Sequence, residues 1–80
     1  MKTPPGSPEQ QLAAFESQAE SAYAAMYDST YPKDDYDDAM SALGRAIGLA
    51  RKLGRTADVQ RLEQRLEHIS AVYHSQFRTR

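Results

Sequence analysis

Residues 36–54 read YDDAMSALGRAIGLARKLG, from Tyr36 to Gly54, the longest clean helical pattern in the chain. The apolar side chains fall into two interleaved sets. One is Tyr36, Met40, Leu43, Ile47 and Ala50; the other is Ala39, Ala42, Ala46, Leu49 and Leu53. At 100° per residue they cover an arc of roughly 180°, wider than a helix needs to lie on one partner. Such a helix sits between two neighbours, and the chain supplies a helical pattern on either side of it.

Eighty residues make one domain, close to the smallest size at which a core stands alone. Leu, Ile, Val and Phe number only twelve, and twelve alanines and five tyrosines must supply the remaining packing. Alanine favours helix and permits close approach, but each one buries little area. The net charge of −1 and the strong periodicity argue against disorder over residues 8–77. With no cysteine, disulfides and thiolate metal sites are excluded. Lys2 is followed by Thr-Pro-Pro-Gly-Ser-Pro rather than an apolar run, so no secretory signal is expected. No stretch approaches the ~18 apolar residues of a membrane span, and a cytoplasmic protein is the default expectation.

Outward from the central stretch, residues 1–7 read as a disordered leader, because two prolines and a glycine oppose regular structure. Ser7, Pro8 and Gln10 then resemble a helix start: an N-cap, a proline in the first helical position and a capping-box partner. Leu12, Phe15, Ala19, Ala22 and Met26 follow at helical spacing, with Tyr23 on the flank and Glu16 and Glu20 toward the edge. Pro32 biases Tyr31 away from helical angles, and Asp34 or Asp35 is expected to cap the second helix. Gly54 is its natural stop, with Arg51, Lys52 and Arg55 at the end that favours positive charge. Thr56 is expected to cap a third helix whose stripe is Val59, Leu62, Leu66, Ile69 and Tyr73, extended by Val72 and Phe77. The expectation is an all-α protein: a three-helix, up-down-up antiparallel bundle with helices over 8–28, 34–53 and 57–77, and a frayed tail over 78–80.

Charge is divided along the chain. Residues 1–40 carry net −6 and residues 41–80 carry net +5. Two readings follow. The halves neutralise one another, the start of helix 2 meeting Arg78 and Arg80 and its end meeting Glu9; or Arg51, Lys52, Arg55, Arg61 and Arg65 form a basic face for nucleic acid. Against the second, the two long antiparallel helices do not suit a helix-turn-helix, and Glu63 and Glu67 repel phosphate.

Tyr36-x2-Ala39-x3-Leu43-x2-Ala46, then Leu49-Ala50-x2-Leu53-Gly54, resembles the second helix of a tetratricopeptide (TPR) repeat. Tyr23 and Met26 fall about where that family's first-helix aromatic and leucine sit. The resemblance covers roughly residues 20–77, as a single unit. It departs from the family at Tyr27, where a small residue is usual, and in the longer turn around Pro32. A three-helix unit of this length is also similar to the MIT domain. Both resemblances imply a helix-lined groove for a protein segment, with no catalytic residues to carry over.

Among candidate sites, Gly44 and Gly48 stand out, since each glycine inside a helix costs ~1 kcal/mol relative to alanine. They lie on one flank of helix 2 with Arg51, just outside the apolar arc. Either a partner helix or a second copy of the chain approaches this strip, or the glycines serve close internal packing against helix 1 or helix 3, or they are tolerated drift. Tyr27 and Tyr31 near the first turn are interface candidates by exposure; tyrosine offers area at low entropic cost plus a hydroxyl. Asp34, Asp35, Asp37 and Asp38 lack the glycine and closing glutamate of a calcium loop and read as helix-start residues. His68 and His74 are six apart rather than at the i, i+4 spacing of a helical metal pair. No nucleophile, base and orienting acid assemble, and no cofactor or metal site is expected. The resulting expectation is not an enzyme but a small protein–protein interaction module, binding a helical segment or itself through Gly44, Gly48, Arg51, Tyr27 and Tyr31. The alternative is nucleic-acid binding through the basic half.

Overall fold

Helix α1 (Pro8–Met26) opens where Pro8 can take the first helical position without forfeiting a backbone donor. The computed structural model describes residues 7–77. The leader expected over 1–7, Ser7 apart, and the tail expected over 78–80 lie outside the described residues. Ser7 stands at the N-cap, but its hydroxyl donates to Glu9 Oε1 at 3.3 Å, so the capping box with Gln10 does not form. The helix stops two residues short of the expected 28. Tyr27 and Asp28 turn their N–H groups to Ala24 and Ala25, three residues back, which tightens and closes the last turn.

Helix α2 (Pro32–Lys52) begins two residues before the expected Asp34. Tyr31, not Asp34 or Asp35, is the N-cap, with an extended-side φ of −124°. The physical reason is Pro32: its fixed φ and missing N–H suit the first helical position, so the helix starts on it. Ser29 Oγ accepts the Tyr31 N–H at 3.0 Å and sets the entry. Asp34 and Asp35 fall in the first turn, and Arg51 and Lys52 in the last, each at the end of the helix dipole that favours its charge.

Gly54 closes α2 with φ +73°. Its N–H reaches Arg51 O at 3.0 Å and the Arg55 N–H reaches Ala50 O at 2.9 Å, the paired bonds of a Schellman ending. This ending hands the chain straight to helix α3 (Thr56–Val72). Thr56 is therefore the first helical residue and Arg55 the N-cap, which corrects the expected Thr56 cap; Val59 N–H already bonds Arg55 O at 3.0 Å. Beyond Val72 the winding widens into a π turn, Tyr73–Phe77, where α-helix was expected to continue.

The three helices form an up-down-up bundle, with no strand among the described residues. Helix α2 is the middle member and packs on both neighbours, whereas the α1 and α3 backbones scarcely approach each other. Among the described residues, six of the twelve in the buried core come from α2: Ala39, Ala42, Leu43, Ala46, Ile47 and Ala50. Leu12, Ala19 and Met26 of α1 meet them from one side, and Leu62, Ile69 and Tyr73 from the other. Of the wide apolar arc only Leu53, in the turn, is exposed.

Alanine at 39, 42, 46 and 50 is what lets α1 lie close to α2, and all four are at most 4 % exposed. Replacing fully buried Ala46 by leucine is expected to overpack this seam and destabilise the fold by about 1–3 kcal/mol. Urea denaturation followed by circular dichroism measures the loss; an unchanged midpoint would mean that the seam has slack.

Candidate interaction surface

Four guanidinium groups of the second half, those of Arg51, Arg55, Arg61 and Arg65, are engaged. Because α1 and α3 run parallel, residues 45 apart in sequence come level. Arg61 pairs with Glu16, and Arg65 holds Glu20 in a two-pronged contact with both N···O distances 2.7 Å. The Arg65 guanidinium also lies 5.1 Å over the Tyr23 ring, whose edge-on neighbour is His68. At the α2–α3 turn Arg55 bonds Asp58 at 2.7 Å and reaches Glu9 at 3.4 Å, and Asp58 also takes a bond from Arg61 at 3.0 Å. Arg51 bonds Glu63 at 2.7 Å.

The Glu9 contact matches the sequence expectation that the basic end of α2 meets the start of α1. The contact expected for Arg78 and Arg80 lies outside the described residues. The larger α1–α3 ladder was missed. Its signal was present: Glu16 and Glu20, like Arg61 and Arg65, are four apart, and an odd helix count makes the two helices parallel.

The ladder shapes the local acid–base behaviour. The Arg65 hydrogen bonds hold the Glu20 carboxyl below its ordinary range against a smaller opposing effect of burial. Arg55 and then Arg61 do the same for Asp58. Tyr23 shares a 3.2 Å hydrogen bond with the Tyr27 hydroxyl, which raises its pKa.

Gly44 and Gly48 point away from the bundle. A Cβ added at either meets nothing within 4 Å, so neither glycine serves close internal packing against α1 or α3. Together with Arg51 they form one side of a shallow concavity of about 570 Å³ between α2 and α3. Ile47 and Leu66 supply its apolar walls, and Glu63 and Glu67 its acidic rim. The opposite flank of α2 faces α1 across a hollow of about 470 Å³ lined mainly by Ser17, Gln18, Ser21, Asp38, Ser41 and Arg45. It offers hydroxyls, one charge of each sign and the methyl groups of Ala22 and Ala42.

Tyr27 and Tyr31 lie elsewhere. They are 53 % and 70 % exposed, at the α1–α2 turn. By helix rise Tyr31 is roughly 20 Å along the axis from Gly44, so the five candidate residues split into two surfaces. Tyr27 is also bound into the bundle, edge-on to Tyr23 at 5.6 Å and to Phe77 at 5.1 Å. Phe77 stacks with Tyr73, and Tyr73 lies flat on Tyr36 at 4.1 Å and 10°. The Tyr36 hydroxyl is bonded to Ser70 Oγ at 3.2 Å. These rings join all three helices at one end. Tyr31 alone among the tyrosines is left without an aromatic neighbour among the described residues.

Among the described residues no three His, Asp or Glu side chains converge in a way that holds a metal ion, and no helix is long and apolar enough to cross a membrane. Comparison with family models, curated proteins and solved structures gives no match to the chain.

Glu20 and Asp58 are held ionised by the folded state, so their contribution is fully present above their ordinary values of 4.5 and 3.8 and is lost as pH falls below them. Stability is expected to decline on acidification below about pH 4.5, and Glu20→Gln to flatten that decline. At neutral pH the same substitution should cost at most about 1 kcal/mol, since both partners are more than a third exposed. Urea midpoints across pH for the two proteins test this; parallel pH profiles would show that the Glu20–Arg65 pair carries no linkage.

Proposed function

We propose that the chain is a protein-interaction module that receives an α-helix in the concavity between α2 and α3. The observation that carries this reading is the pair of solvent-facing glycines. In the interior of a helix, Gly44 and Gly48 together cost about 2 kcal/mol relative to alanine. Nothing inside the bundle occupies the space they leave. On this reading the compensating gain lies outside the chain, in a surface low enough for another helix backbone to come close. Half-buried Leu66 gives that helix apolar contact, and the Arg51–Glu63 pair gives a polar rim able to exchange bonds with it.

This proposal is in keeping with the groove implied by the TPR-like and MIT-like resemblances, though it rests on the glycines and not on them. It also agrees with the occupation of Arg51, Arg55, Arg61 and Arg65 by carboxylates of the same chain, which among the described residues leaves a phosphate backbone few unpaired guanidinium groups to neutralise. Tyr27 and Tyr31 belong, on this reading, to a separate surface.

The test is the double substitution Gly44→Ala, Gly48→Ala. Neither methyl group meets a neighbour, so the fold is expected to gain up to about 1 kcal/mol at each position. Partner capture by the stabilised variant is expected to fall at least tenfold relative to wild type. Retained capture together with a raised melting temperature would retire the groove. Analytical ultracentrifugation of the purified chain identifies a second copy as the occupant if wild type is dimeric and the variant monomeric.

Salt separates this from nucleic-acid recognition. Capture through the α2–α3 groove is expected to persist as salt is added and to be indifferent to nuclease, whereas phosphate-driven binding weakens steeply. Loss of capture on nuclease treatment would move the site to the arginine ladder.

A further inference from the structure

We draw no further inference here: the strongest candidate beyond the groove, the exposed surface patch at the α1–α2 turn where Tyr27 and Tyr31 stand among Asp28, Asp34 and Asp35, is an acidic cluster with two tyrosines, and nothing in the structure shows what covers it.

Discussion

How near α1 can come to α2 decides most of this structure. The chain has few large apolar residues, so it cannot fill a wide gap between helices. Alanines along one edge of α2 bring α1 in close, and the modest area of each methyl group is offset by contact along the whole length of the seam. The other edge of α2 carries the bulk, Leu43 and Ile47, which share a cluster with Leu62 and Ile69 of α3. An interior of small residues on one side and large ones on the other makes the two interfaces of α2 unlike, and this is what distinguishes α1 from α3 in the bundle.

The same constraint explains the arginines. With α1 drawn onto α2, the α1 and α3 backbones stay apart, and only long side chains span the interval. Arg61 and Arg65 do so to Glu16 and Glu20, and the Arg65 guanidinium lies over the Tyr23 ring. Each exposed pair contributes little free energy. Their effect is on register, since a one-turn slip of α3 along α1 would leave the ladder one rung short. Part of the charge division along the sequence is therefore the trace of two parallel helices that meet through Glu16–Arg61 and Glu20–Arg65.

Much of this was legible in the sequence, and the misses have physical causes. The arc on α2, the Gly54 stop and the apolar stripes of α1 and α3 are properties of single segments, and all are found in the fold. The errors at helix starts came from weighing side-chain capping above proline geometry. Pro32 at the first helical position moved the cap to Tyr31, and the Schellman ending at Gly54 left Arg55, not Thr56, outside the helix. The Glu–Arg ladder needed the relative register of two elements 45 residues apart, which no local pattern contains. For the glycines, the sequence located the flank correctly but left open whether a neighbouring helix covers it. That depends on how far α3 swings round α2, and it leaves both positions open.

An odd number of antiparallel helices has one more effect. Ser7, where α1 begins, and Phe77, where the π turn closes, stand at opposite ends of the bundle, about 30 Å apart by the rise of a 20-residue helix. Whatever is joined to these two points is held apart, as by a short strut.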